Sequence, residues 1–291
     1  MIDFINTFIN GLSLGGIYAM IALGYTMVYG IAKMLNFAHG DIIMVGGYTL
    51  FITIGLLGSP ILAIICAIVL CGLLGVLMEK LAYKPLRGAS PLAVLITAIG
   101  VSYLLQSLAQ IIFGAGTKYV NMPNWGSITL GSLRIQVYTL VTLIASVVIM
   151  VALSVFIKYS KTGRAMIAVS EDRAASELMG ISVNTIITIT FLIGAMLAAV
   201  ASTFYLLKAP SISPTFGSMP GIKAFTAAVI GGIGSIPGAM VGGILLGVIE
   251  VFCNSIPAIA PYTDAIEFTI LIIILLVRPT GLLGKKRREK V

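Results

Sequence analysis

The chain has 291 residues, of which 59% are hydrophobic and 10% charged. A soluble domain carries about 25% charge. Polar groups therefore cannot cover the apolar surface here, and a mean hydropathy of +1.10 excludes a water-soluble globule in favour of a polytopic helical membrane protein. The net charge of +8 points to membrane topology rather than nucleic acid, because the basic residues gather in a few short loops.

Apolar runs long enough to cross roughly 30 Å of hydrocarbon recur at about 8–32, 40–57, 61–79, 92–113, 138–157, 184–207, 221–236, 238–256 and 262–277. They predict an all-α transmembrane bundle of about 8–9 membrane segments, forming one transmembrane domain over residues 1–291. The second and seventh runs are short and glycine-rich, which allows either to be re-entrant. The alternating strands of about ten residues that a β-barrel needs are absent from the sequence.

The N-terminus carries Asp3 and no early Lys or Arg, so no cleavable signal peptide is expected. The first span is followed by a break at Asn36-Phe37-Ala38-His39-Gly40-Asp41. Unpaired polar groups in hydrocarbon are costly. This run is therefore a functional kink that lines a pathway, caps the second helix or forms an inner gate, or else a cytoplasmic turn with Asp41 as a helix-start acid. His39 is the only histidine, too few ligands for a metal site.

Lys80, Lys84 and Arg87 form a first basic loop, and Lys158, Lys161, Arg164 and Arg173 a second. Arg278, Lys285, Lys286, Arg287, Arg288 and Lys290 form a tail over about 278–291. The positive-inside rule places all three in the cytoplasm, and the number of spans between them agrees. The N-terminus and the 114–137 segment with Trp125 then lie outside. Tyr83, Tyr138, Tyr159 and Tyr262 fall at span ends, where an interfacial aromatic belt would sit.

The longest polar segment covers about 159–182. Ser170 can cap a short helix there, with Glu171 and Asp172 in the first turn, where the dipole favours acids. Gly180 can close it at C′. Such a helix at the cytoplasmic surface can be pushed on from outside the membrane; the plainer reading is a loop whose charges only fix topology.

Beyond the next span, the Ser213–Lys223 segment is broken by prolines and glycines. Ser218 and Pro220 suit a helix start. A half-helix opening inside the membrane would aim its N–H groups at a carboxylate in a pathway, and Lys223 would add a positive charge. The alternative is an external loop with a snorkelling lysine. Each half of the chain thus holds a long span followed by a broken one, a pattern of inverted repeats, although the residues of the halves match weakly.

Gly238/Gly242 and Gly243/Gly247 are GxxxG pairs that allow close helix packing within or between subunits. Glu79, Asp264 and Glu267 lie near span ends, where water reaches. Glu250 is deeper and pairs best with Asn254, four residues on. Cys66, Cys71 and Cys253 fall in apolar runs without CxxC spacing. No P-loop, HExxH, Ser/His/Asp set or dinucleotide fingerprint is present, so neither enzyme chemistry nor a cofactor or metal is expected.

Four stretches carry a resemblance: LGYTMVYGIAKMLNFAHGD at 23–41, GRAMIAVSEDRAASELMGI at 163–181, GIKAFTAAVIGGIGSIPGAMVGGILLG at 221–247 and VRPTGLLG at 277–284. In both halves and in order, they resemble the LivH-type permease subunits of branched-chain amino-acid ABC transporters. The loop departs from the wider importer pattern of EAA, three residues and Gly: Arg173 stands in place of Glu, and the spacing to Gly180 is one longer. The resemblance implies a multi-pass subunit of the bacterial inner membrane that moves leucine, isoleucine and valine inward by alternating access. Its implied partners are a second homologous permease, two ATP-binding-cassette ATPase subunits, a periplasmic or extracellular binding protein and the lipid bilayer, with no nucleic acid. Coupling to the ATPases would fall to Gly163, Arg164, Glu171, Asp172 and Gly180. The pathway would involve Asn36, His39, Asp41, Ser218 and Lys223. The alternatives are the same machine carrying urea, amides or other amino acids, an ATP-independent channel or carrier, and an assembly scaffold.

Overall fold

A computed structural model describes residues 2–130 and 133–284; the basic residues predicted for the tail at 285–290 lie outside them. The helices are α1 (Ile2–Ala32), α2 (His39–Leu57), α3 (Pro60–Met78), α4 (Pro91–Phe113), α5 (Val137–Tyr159), α6 (Lys161–Glu171), α7 (Arg173–Leu178), α8 (Val183–Lys208), α9 (Ser218–Gly231), α10 (Ile236–Ser255) and α11 (Thr263–Val277). Among the described residues eight helices are long and apolar enough to cross a membrane: α1, α2, α3 continued to Leu86, α4, α5, α8, α10 and α11 with its preceding turn. The seventh predicted span is the exception. It is α9, a half-helix of 14 residues and so about 21 Å long.

Local chemistry sets the boundaries. Pro60 and Pro91 open α3 and α4, and Ser90 accepts from the Ala93 amide. Pro237 stands in the first turn of α10, where Ser235 accepts from the Gly238 amide. Proline in a first turn loses no helical hydrogen bond, because those amides have no partner within the helix. Gly58 closes α2 in a left-handed conformation at φ 64°.

α1 is the buried axis of the bundle, with most of its apolar length enclosed by protein. It packs on α10 as α8 packs on α3, and α9 lies against α10 and α1 as α2 lies against α3 and α8. α4 touches α2 as α11 touches α9. Exchanging α1 with α8, α2 with α9, α3 with α10 and α4 with α11 therefore preserves the pattern. The first and second quartets run in opposite senses across the membrane, so the repeat suggested by the paired interruptions is present in the packing.

Both GxxxG pairs are used inside the subunit. A Cβ on Gly243 or Gly247 would strike the backbone of Ala19 or Gly15 in α1, and one on Gly238 or Gly242 that of Gly231 or Ala227 in α9. On the outer side, β1 (Lys118–Tyr119) pairs antiparallel with β4 (Ser211–Ile212), and β2 (Ser127–Leu130) with β3 (Leu133–Gln136). These short ribbons are too brief to show as strands in the sequence.

Several side chains sit elsewhere than their span positions suggested. Tyr83 is fully buried and donates to Asn36 Oδ1 at 2.7 Å, so it is not part of an interfacial belt. Glu79 is also buried, bound by Arg87 and by Thr188 Oγ1 at 2.8 Å. Asn254 accepts from Thr263 rather than pairing with Glu250. Tyr83 and Glu79 each find a partner on a distant segment that holds the polar group inside the bundle, whereas Asn254 stays exposed and bonds to the start of the next helix.

Candidate translocation site

The interrupted segments after α1 and α8 fold back into the bundle, and the N-termini of α2 and α9 meet there. A Cβ on Gly217 would overlap the Gly40 carbonyl, and one on Gly221 would stand 2.9 Å from Gly40 Cα. Only glycine permits this approach. Beside the contact is a cavity of about 250 Å³, walled by Gly40 and Asp41 of α2, Ser218, Gly221 and Ile222 of α9, and Tyr25 of α1. Phe37 and the α4 residues Ile99, Ser102, Tyr103 and Gln106 complete it.

Gln106 organises the polar wall. Its Nε2 lies 2.8 Å from Asp41 Oδ1, 3.2 Å from Ser102 Oγ and 3.4 Å from Ser218 Oγ. Asp41 is 2% exposed, and none of the ion pairs among the described residues includes it. Ile222 and Tyr103 at the rim are exposed, Tyr103 by 66%, so the cavity opens on a face that this chain leaves uncovered. Toward the cytoplasm, Tyr29, Leu35, Asn36, Phe225 and Ile233 close on one another and leave no room for water.

Of the five predicted pathway residues, Asp41 and Ser218 line the cavity and Asn36 lies in the closed seam below it. His39 is buried against Gly24, its ring edge-on to Tyr25 with centroids 4.6 Å apart. Lys223 turns away to the outer ends of α10 and α11. Its Nζ is 3.1 Å from Glu250, 2.8 Å from Asp264 and 3.3 Å from Glu267. Tyr18 donates to Glu250 at 2.7 Å, so the cluster ties α1, α9, α10 and α11 together. Glu267 is fully buried and not wet, as its place near a span end suggested. Sequence reasoning missed Gln106 and Ser102. Their spacing of four on α4 puts both on one face, the one signal available.

On the cytoplasmic side the polar segment is two helices. Ser160, not Ser170, caps the first, accepting from the Gly163 amide at 2.8 Å; the Ser170 hydroxyl donates to the Ile167 carbonyl. Asp172 is extended between the helices and caps α7, accepting from Ala175 N at 3.0 Å. Glu171 is consequently the last residue of α6, not a first-turn acid. An earlier serine at the exit of α5 starts the helix ten residues before the expected cap. Gly180 does close the pair, at φ 79°, with Gly180 N bonded to Glu177 O and Ile181 N to Ser176 O, the paired bonds of a Schellman end. A Cβ on Gly163 would enter the last turns of α5. Arg164, Glu171 and Asp172 are exposed, and Leu178 and Met179 protrude at 89% and 81% exposure. Arg173 points inward and donates to the Ile31 and Ala32 carbonyls at the end of α1. Burial and the nearby Arg87 charge push its pKa below the usual arginine value.

Comparison with known proteins adds to this geometry. A family profile described as "Branched-chain amino acid transport system / permease component" matches residues 7–275. The high-affinity branched-chain amino acid transport system permease protein BraD of Pseudomonas aeruginosa is 42% identical over 99% of this chain and 98% of its own length. The corresponding protein LivH of Escherichia coli is 42% identical with the same coverage. Among solved structures, PsaBC from Streptococcus pneumoniae in complex with Fab matches with a TM-score of 0.50 at 16% identity, covering 93% of this chain and 91% of that one. This last likeness concerns the fold alone.

Proposed function

Because this chain belongs to the branched-chain amino acid transport permease family, as a multi-pass component of the bacterial inner membrane, we propose that it carries leucine, isoleucine and valine inward as a membrane subunit of an ATP-binding-cassette importer. The whole chain acts as one transmembrane unit, with the 159–182 segment as its coupling element. Two ATPase subunits dock on α6 and α7 from the cytoplasm. A second homologous permease covers the open rim at Tyr103, and a periplasmic binding protein supplies the amino acid.

One observation carries the reading: the exposed helix pair is tied to the axis of the bundle. Arg173 holds α7 to the carbonyl end of α1, and two turns further up α1 places Tyr25 in the cavity wall. A push on Leu178 and Met179 is transmitted to the wall and to the seam at Asn36 and Phe225. Arg164, Glu171 and Asp172 set the register of docking by charge. Gly163 and Gly180 fix the shape of the element, Gly163 by close packing on α5 and Gly180 by its left-handed turn. Asp41 and Ser218 line the path, and Asn36 belongs to its inner gate. His39 and Lys223 hold the helices around it.

The test is affinity purification of the tagged chain in gentle detergent, with bound partners identified by mass and ATP hydrolysis measured. Co-purifying ATPases whose hydrolysis rises with leucine-loaded binding protein are expected. A chain that exchanges leucine across liposomes with no partner and no ATP would overturn the reading.

A further inference from the structure

We infer that the cavity between the N-termini of α2 and α9 is a binding site for a zwitterionic, apolar α-amino acid, with Asp41 as the ammonium ligand. The inference rests on the importer reading and adds a place and a chemistry to it.

The first observation is an unbalanced charge. Asp41 is the only ionisable carboxylate or cation among the residues that wall the cavity. It is 2% exposed, and its side chain rests on neutral groups, the Gln106 amide and the Ser102 hydroxyl. A carboxylate at membrane depth is expensive unless a positive group compensates it. The partial charge at the start of α2 offsets part of that cost, and a substrate ammonium beside Asp41 would supply the rest.

The second observation is the arrangement of what surrounds Asp41. Ser218 opens α9 beside Asp41, the two side chains sharing Gln106 Nε2, and Pro220 in the same first turn has no amide hydrogen. The Ser218 hydroxyl is a donor suited to a carboxylate, whereas the Ser218 and Gly221 amides of that turn are already bonded to the Thr215 and Gly217 carbonyls. Acceptor and donor thus stand side by side on one wall of the cavity, as the ammonium and carboxylate on the one α-carbon of an amino acid require. Ile99, Ile222 and Phe37 give the remaining wall, which suits a branched aliphatic side chain. The volume of about 250 Å³ lies just below the range of about 300–1,000 Å³ typical for drug-sized ligands, as a single amino acid would need.

The test uses the purified importer complex in lipid nanodiscs, with Cys66, Cys71 and Cys253 replaced by alanine and Ser102→Cys as a reporter on the cavity wall. Labelling by a charged thiol reagent is followed against ligand concentration. Leucine is expected to slow labelling. Isoamylamine, which keeps the ammonium, should also protect, and isocaproate, which lacks it, should not. In Asp41→Asn the leucine concentration giving half-protection should rise at least about tenfold, as for loss of a charge-assisted hydrogen bond, and in Asp41→Glu much less. Protection by isocaproate equal to that by leucine would overturn the site, even without a folded Asp41 variant, and so would unchanged protection in Asp41→Asn. Failure of the unmodified complex to take up leucine with ATP would overturn the importer reading instead.

Discussion

Gly40 and Gly217 meet with no room for a methyl group between them. This contact holds the starts of α2 and α9 side by side and thereby creates the cavity. Gly217→Ala should force the two helices apart and lower the stability of the purified complex by about 1–3 kcal/mol, the usual cost of overpacking. Gly55 in the same α2 has nothing within 4 Å of an added Cβ. Gly55→Ala should be neutral or stabilising by up to about 1 kcal/mol, the difference between the residues in a helix. Thermal unfolding of the two variants checks both, and equal effects would remove the special role of the contact.

Lys223 lies within 3.3 Å of three carboxylates, of which Glu267 is fully buried. Lys223→Met strands Glu267 and Glu250 without a cation, and removing one partner of a buried pair costs about 3–5 kcal/mol. Asp264 is half-exposed and adds little. Lys223→Met combined with Glu267→Gln should recover part of the loss. Expression and unfolding of the single and double variants measure this. A stable single variant would show that the cluster is hydrated.

Asp172 is both a charge and a cap. Reversing its charge would mix two effects, so Asp172→Asn is the cleaner change, since asparagine caps as well as aspartate. It should leave α7 folded and weaken ATPase docking by charge alone. Asp172→Ala should additionally cost about 1 kcal/mol of local stability. Leu178→Asp, at a position 89% exposed, should leave the subunit stable and remove co-purifying ATPase. Retained ATPase in that variant would exclude Leu178 from the docking surface.

Arg173 connects the docking element to α1 through two carbonyls. Arg173→Leu is expected to keep the ATPases bound and their hydrolysis measurable while leucine uptake per ATP falls several-fold. Arg173→Lys should rescue only partly, because the lysine ammonium ends one bond short of Nη2, the single nitrogen that reaches both carbonyls. Uptake and hydrolysis measured on the same proteoliposomes separate coupling from docking.

The sequence shows what depends on near neighbours along the chain. The breaks at Asn36–Asp41 and Ser213–Pro220 are readable because polar, glycine and proline residues stand out against apolar runs, and they led to Asp41 and Ser218. Gly180 is readable because a left-handed helix end favours glycine. The Lys223–Glu267 pair is not, since 44 residues separate its members and each also fits a span end. Gln106 is hidden for a similar reason: an amide on a mostly apolar helix gains meaning only when α4 brings it to Asp41. Ser170 misled because it precedes two acids, whereas Ser160, where α5 ends, starts the helix first. The repeat is legible in the packing and weak in the residues, because helix pairing needs small residues at crossings and not the same residues in both halves.

The most direct measurement is uptake of radiolabelled leucine into proteoliposomes holding the chain with its co-purified partners and a binding protein. Uptake is expected only when ATP and the binding protein are both present, with none through this chain alone. ATP-independent leucine flux through the chain alone would contradict its role as the permease subunit of an importer.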